Sequence, residues 1–258
     1  ELDEWMDAGA RWAADEAGRK PLIAAWHRLA SAAPVCLERE PAGLYGDVTV
    51  LGRRLDEFST GKLRAVLADR GSGAVRDAIL AALVDAEARI LGASEVAVQL
   101  EGHGRDGWGA ALDVSRTVGW FTSLYPCMLT PQRGEGALAA VARVRETLAA
   151  LPDSGATYAL IGAYGPASAT PEVGTRIGFN YLGEFIAPTG QALFQMDDEL
   201  PHGSIAPDLP RDHPVDVTAW IFHGQLNVHC AFVGDAARVA ERDRWLGHLM
   251  DFLREISN

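Results

Sequence analysis

Apolar residues recur at three- and four-residue steps across the first 33 positions. Leu22, Ile23, Trp26, Leu29, Ala30 and Ala33 form one such stripe, which predicts helix from Glu1 to Ala33. Pro21 suits a first helical turn and Pro34 stands at the far end. The stretch from Val35 to Tyr45, with Pro41 and Gly43, reads as loop. Val48, Val50 and Leu55 predict a strand. Ser59 or Thr60 is placed to cap a helix carrying Leu63, Val66 and Leu67, which Gly71 ends. A second helix is predicted from about Gly73 to Leu91, with Ile79, Leu80, Leu83, Val84 and Ile90 inward and Gly92 as its stop.

The period then changes to two. In Glu95–Glu101 the side chains of Val96, Val98 and Leu100 face one way, and those of Glu95, Ala97, Gln99 and Glu101 the other. Gly102, Gly104, Gly107 and Gly109 break regular structure after this strand. Arg116 to Leu129 is rich in β-branched and aromatic residues and reads as a second strand region. Glu135 to Leu151 predicts a helix with Leu138, Val141, Val144 and Leu148 on one face. Arg176 to Leu182 reads as strand, and Val215–Phe222 with Gln225–Phe232 as a hairpin around His223-Gly224. Pro188 to Pro214 is proline-rich and predicts long loops. Ala236 to Ile256 closes the chain as a helix, with Val239, Trp245, Leu249, Phe252 and Leu253 inward. Helices and strands mix along the chain, without repeats or a low-complexity linker, which predicts one α/β unit.

Composition narrows the class. Of 258 residues 48% are apolar and 22% charged, enough for a packed core and against disorder as the main state. The 23 basic and 35 acidic residues leave a net charge of −12, which repels phosphate backbones and argues against nucleic-acid binding. No uninterrupted apolar run is long enough to span a bilayer, and no basic-then-apolar leader opens the sequence. Cys36, Cys127 and Cys230 are odd in number and far apart, which argues against a disulfide framework and for buried thiols in a reducing cytoplasm.

The chemistry-bearing segment is Leu100-Glu-Gly-His-Gly-Arg-Asp106. A strand delivers Glu101 to its end, and the glycines let the backbone pass close to whatever lies there. A carboxylate, an imidazole and a guanidinium within five residues can form an acid/base site or a structural strand-end turn. His202, His213, His223 and His229 lack metal-ligand spacing and predict surface or core histidines, so no metal site is expected. Gly71-Ser-Gly73 is no nucleophile elbow, and nothing marks Cys127 as an activated thiol. Trp120, Phe121, Tyr125, Phe179 and Tyr181, taken singly, predict packing.

Three stretches point further when taken together. Leu-Glu-Gly-His-Gly-Arg-Asp (100–106), Arg-Thr-Val-Gly-Trp-Phe-Thr-Ser-Leu-Tyr-Pro (116–126) and Phe-Asn-Tyr-Leu-Gly-Glu-Phe (179–185) resemble the motifs of epimerization domains of nonribosomal peptide synthetases, within the condensation-domain superfamily. The order and spacing fit, and the resemblance covers essentially the whole chain. It departs at Asp106, in Leu160–Gly165 and over Glu184–Ile186.

The resemblance implies an α/β fold, a chloramphenicol-acetyltransferase-like lobe with a mixed β-sheet covered by helices. The family has two such lobes, and the first carries a His-His-x-x-x-Asp motif. No His-His pair occurs in this sequence. The chain is therefore expected to be a single C-terminal lobe over 1–258, with 1–45 as a helical lead-in from the first lobe.

The implied reaction interconverts L and D configuration at the α-carbon of an aminoacyl or peptidyl thioester, by removal and return of the α-proton. That is an isomerase activity if the first lobe complements this one. No cofactor of its own is implied, because the substrate rides on the 4′-phosphopantetheine of a carrier protein. Implied partners are a peptidyl carrier domain and the first lobe, in cis or in trans. An uncovered lobe face predicts self-association as well.

The resemblance assigns Glu101, Arg105, Asn180 and Tyr181 to catalysis, with Glu101 as an acid/base group, and His103, Gly104 and Trp120 to substrate binding. The alternative reading is a non-catalytic condensation-like domain that docks a carrier protein or a tailoring enzyme. Amide-bond formation is a third.

Overall fold

Alternating and helical periods in the sequence become seven α-helices and six strands in the computed structural model, which describes residues 2–32, 42–105, 113–132, 134–164, 171, 173–185 and 205–257. Cys36, Asp106 and His202 lie outside the described residues, as do parts of the loops expected over Val35–Tyr45 and Pro188–Pro214. The chain divides into two compact units that interleave along the sequence. One comprises Glu1–Glu38, Ala97–Met128 and Glu146–Thr175; the other comprises Arg39–Val96, Leu129–Arg145 and Arg176–Asn258. Each is assembled from three stretches, so no linker of distinctive composition marks the division.

In the first unit the long N-terminal helix expected from the sequence is two helices, α1 (Leu2–Ala14) and α2 (Glu16–Ala32). The break falls at Asp15, whose Oδ1 accepts the Gly18 N–H at 3.1 Å and so satisfies a donor of the new first turn. Pro21 consequently lies inside α2, not in its first turn. Its missing N–H withdraws one bond from the helix ladder.

Trp26 is buried, its Nε1 donates to Thr157 Oγ1 at 3.1 Å, and its ring meets Tyr158 edge-on at 5.0 Å. Both partners belong to a helix over Ala156–Tyr164, which the sequence pattern does not predict. That segment, Ala-Thr-Tyr-Ala-Leu-Ile-Gly-Ala-Tyr, has no polar stripe, so it shows no helical period.

Two neighbouring strands complete the first unit, β2 (Val96–Gly102) and β3 (Ser123–Leu129). Val96, Val98 and Leu100 are buried as the alternation predicts. The strand region expected from Arg116 begins only at Ser123, because residues 116–122 are held in turns and irregular chain.

In the second unit four strands follow the order β1-β6-β5-β4. β1 (Thr49–Leu55) pairs antiparallel with β6 (Gln225–Phe232), β6 antiparallel with β5 (Val215–Phe222), and β5 parallel with β4 (Ile177–Phe185). The sheet is therefore mixed. His223 (φ +47) and Gly224 (φ +71) turn the β5–β6 hairpin, both in the left-handed region that a two-residue loop needs.

Val215, Val217, Ala219 and Ile221 alternate inward on β5, and Leu226, Val228, Cys230 and Phe232 on β6. Three helices accompany this sheet: α3 (Glu57–Leu67), α4 (Ala74–Leu91) and α7 (Ala236–Ser257). The cap of α3 is Asp56, which accepts the Ser59 N–H at 2.7 Å, and not Ser59 or Thr60. Thr60 is buried instead; its hydroxyl donates to the Leu55 carbonyl and accepts the Leu226 N–H at 3.0 Å. Val66 faces outward and Ile90 is half-buried. Helix α5 (Ala137–Ala149) follows β3 in the chain, and the short helix at Ala156–Tyr164 is α6.

Burial pushes the Cys230 thiol up to about 12, and Cys127 is buried in β3. His229 lies over Gly52, where a Cβ would come within 2.8 Å of Nε2, and meets Trp220 edge-on at 4.6 Å. Burial lowers its pKa. Among the described residues, no His, Cys, Asp and Glu side chains gather as a metal site. No described helix is long and apolar enough to cross a membrane.

Candidate active site

The pleat of β2 sets the first part of the site. Leu100 points into the core, so Glu101, the penultimate strand residue, points to solvent and is exposed. At Gly102 the strand runs so close to β3 that a Cβ would lie 2.9 Å from Ser123 Oγ.

His103 follows, also exposed, and its Nδ1 accepts the backbone N–H of Arg105 at 3.1 Å. Gly104 closes this turn with φ +64. A Cβ there would stand 1.5 Å from the Phe121 carbonyl oxygen, so only glycine fits.

Arg105 is turned toward main chain. Its Nη1 donates to the carbonyls of Val114 at 2.5 Å and Thr117 at 2.9 Å, and its Nη2 to that of Gly119 at 3.2 Å. Its guanidinium carbon lies 4.2 Å from the Phe121 ring centroid. The guanidinium thereby gathers the chain between 114 and 121 and holds it against the Glu101–Arg105 turn.

A cavity of about 240 Å³ opens beside this turn, walled by Trp5, Gly104, Trp120, Phe121, Tyr164 and the small side chains of α6. Trp120 is 86% exposed and so does not serve the packing role its type suggests when read alone.

Asn180 and Tyr181 lie on β4 in the second unit, opposite Thr218 and Ala219. Beyond Tyr181 the register slips: β4 advances from Tyr181 to Glu184 while β5 advances only from Ala219 to Ile221. Gly183, at φ +82, absorbs the extra residue as a bulge. The Leu-Gly pair of the Phe-Asn-Tyr-Leu-Gly stretch is thus a backbone device.

Tyr181 borders a cavity of about 500 Å³ with Gly61, Arg64 and Ala65 of α3 and residues 71–75. Its hydroxyl pKa is pushed up to about 12, first by burial and then by the Glu184 carboxylate, against the opposing pull of Arg64. Arg64 and Glu184 pair at 2.9 Å.

Glu101, His103, Gly104, Arg105 and Trp120 therefore belong to the first unit, and Asn180 and Tyr181 to the second. The structure adds Phe121, whose ring and carbonyl hold two of those five residues in place. Its signal in the sequence was slight, because a carbonyl acceptor leaves no trace in residue type.

The Condensation domain family matches residues 51–258. The chain belongs to the condensation-domain family.

Curated relatives of this condensation-family chain include bacitracin synthase 3 of Bacillus licheniformis, 30% identical over 191 residues. That match covers 73% of this chain and 3% of the relative. Nonribosomal peptide synthetase 5 of Gibberella zeae is 30% identical over 224 residues, covering 82% of this chain and 2% of that protein. The chain thus spans only a few per cent of the length of these relatives.

Among solved structures, the epimerization domain from the third module of tyrocidine synthetase B superposes with a TM-score of 0.80 at 24% identity. The match covers 97% of this chain and 58% of that one, and it shows a shared fold.

Proposed function

We propose that this chain is the C-terminal lobe of an epimerization domain of a nonribosomal peptide synthetase. It interconverts L and D configuration at the α-carbon of an aminoacyl or peptidyl thioester carried on the phosphopantetheine of a carrier domain. The observation that carries this reading is the exposed Glu101 near the end of β2, followed by a turn that Gly104 and Arg105 fix. A thioester acidifies its α-hydrogen, so a positioned carboxylate can accept that proton as the electron pair moves into the carbonyl. Return of a proton from the other face inverts the centre. That second group belongs to a first lobe, in cis or in trans, and a rigid turn matters because a small misplacement forfeits most of the gain.

Asn180 and Tyr181 of β4 take part in catalysis, and Trp120 and Gly104 contact the acyl group. No cofactor is needed beyond the carrier's arm. The buried thiols of Cys127 and Cys230 support a reducing, cytoplasmic setting. Val118 and Trp120, 96% and 86% exposed, support self-association when this face is uncovered.

The test is α-hydrogen exchange with deuterium on a panel of L-aminoacyl carriers, with the first lobe supplied. Exchange that Glu101→Gln abolishes supports the reading. Exchange unchanged by Glu101→Gln refutes the role of Glu101. Capture of loaded carrier without any exchange favours a docking domain.

A further inference from the structure

We infer that His103 is a further catalytic residue of this site, its Nε2–H donating to the thioester carbonyl oxygen as negative charge builds there. The inference rests on the epimerization reading and adds the electrophilic half that the reading lacks.

The argument starts from the turn. Nδ1 of His103 accepts the Arg105 N–H at 3.1 Å. An imidazole nitrogen that accepts a hydrogen bond carries no proton, so the ring's proton sits on Nε2, which is a donor. The main chain that carries the bonded Arg105 N–H is fixed by two independent locks. Gly104 is confined by the Phe121 carbonyl, and Arg105 is tied to three carbonyls and to the Phe121 ring. The amide that fixes the tautomer therefore cannot swing away without dismantling the 114–121 segment. Arg105 acts here as a positioning residue through its own main chain.

Glu101 and His103 are two residues apart, and both are exposed. Two residues of extended chain span at most about 7 Å. In a thioester the α-carbon and carbonyl oxygen are separated by two bonds, and a contact of about 3 Å to a group on either side brings the span between base and donor to that order. One group can thus address the α-hydrogen while the other addresses the oxygen. In the step itself the α C–H bond breaks, its proton passes to the Glu101 carboxylate, and its electron pair forms the enolate. The enolate oxygen accepts the Nε2–H hydrogen bond without taking the proton. Return of the electron pair to carbon with a proton regenerates the thioester. A preorganised donor aimed at developing charge is worth roughly 100-fold or more in rate.

Two substitutions separate this role from a structural one. In His103→Asn the side-chain oxygen can still accept the Arg105 N–H, which keeps the turn but removes the Nε2 donor. In His103→Gln an amide N–H reaches toward the Nε2 position while the turn acceptor is lost. The measurement is deuterium wash-in at the α-carbon of the aminoacyl carrier that the intact protein exchanges fastest. Nitrogen-15 NMR of the His103 ring is the second readout, and it needs no activity.

We expect an Nε2–H tautomer, a fall in the exchange rate constant of roughly 100-fold in His103→Asn with KM little changed, and partial recovery in His103→Gln. A full rate in His103→Asn, or an Nδ1–H tautomer, overturns the inference while leaving the epimerization reading intact. An exchange rate indifferent to Glu101→Gln, or no exchange at all by the unaltered protein, removes that reading and this inference with it.

Discussion

Gly104 and Phe121 meet more closely than any other amino acid at position 104 would allow. A Cβ on Gly104 would sit 1.5 Å from the Phe121 carbonyl oxygen, and φ is +64. The turn after Glu101 is therefore built against main chain, which cannot yield as a flexible side chain can. Gly104→Ala is expected to cost about 3 kcal/mol or more in urea unfolding, since left-handed strain and a backbone clash add. Gly92→Ala is the control. Gly92 has a similar φ of +68, caps α4 and has nothing within 4 Å of its Cβ position. That change should cost about 1 kcal/mol. Equal costs at the two positions would mean the close approach is absent in solution.

Arg105 holds the 114–121 segment through three carbonyls. Lysine keeps the charge but not the fork of donors. Arg105→Lys should therefore destabilise the first unit by about 2 kcal/mol, within the range for hydrogen bonds to charged groups. Hydrogen exchange of the amides between 114 and 121 should accelerate selectively in the variant. Unchanged protection there would show that another interaction holds the segment.

How much of this was legible in the sequence depends on what each feature is made of. The β5–β6 hairpin was legible to the residue, because alternation and a His-Gly turn both act locally. Glu101 at a strand end was legible for the same reason, and the resemblance of three stretches led to the family. Helix α6 was not legible, since a segment apolar on all sides carries no period. The cap of α3 was not legible because Asp56, Ser59 and Thr60 are all able caps, and the burial of Thr60, whose hydroxyl accepts the Leu226 N–H, decides among them. The role of Arg105 was hidden because its acceptors are carbonyls of residues 9 to 14 positions away.

In the core of the second unit, Arg242 of α7 and Glu87 of α4 pair at 3.6 Å, both almost wholly buried. Such a pair contributes little net stability beyond an apolar equivalent, but breaking it strands a charge. Glu87→Ala is expected to cost about 3–5 kcal/mol by thermal or urea unfolding. The double change Glu87→Leu with Arg242→Met should recover most of that loss. A single variant as stable as the parent would show that solvent reaches the guanidinium.

Tyr181 supplies a pH signature for the second unit. Burial raises its pKa to about 12, with Glu184 adding to the rise and Arg64 opposing it. The folded value lies above that of an exposed tyrosine, so the folded state holds the phenolic proton more tightly than the unfolded chain does. Its contribution to stability is thus complete below about pH 10, where an unfolded tyrosine stays protonated, and is lost as pH rises through about 12. The residue is partly open to solvent, so the effect on stability should be modest. Ultraviolet difference titration of the protein against Tyr181→Phe should isolate a phenol that ionises well above the ordinary range. Glu184→Gln should bring that ionisation down, and Arg64→Gln should push it further up. If the Tyr181 phenol ionises like a free tyrosine, the ring is not walled in between β4 and α3, and the cavity it borders is more open in solution than its 500 Å³ outline implies.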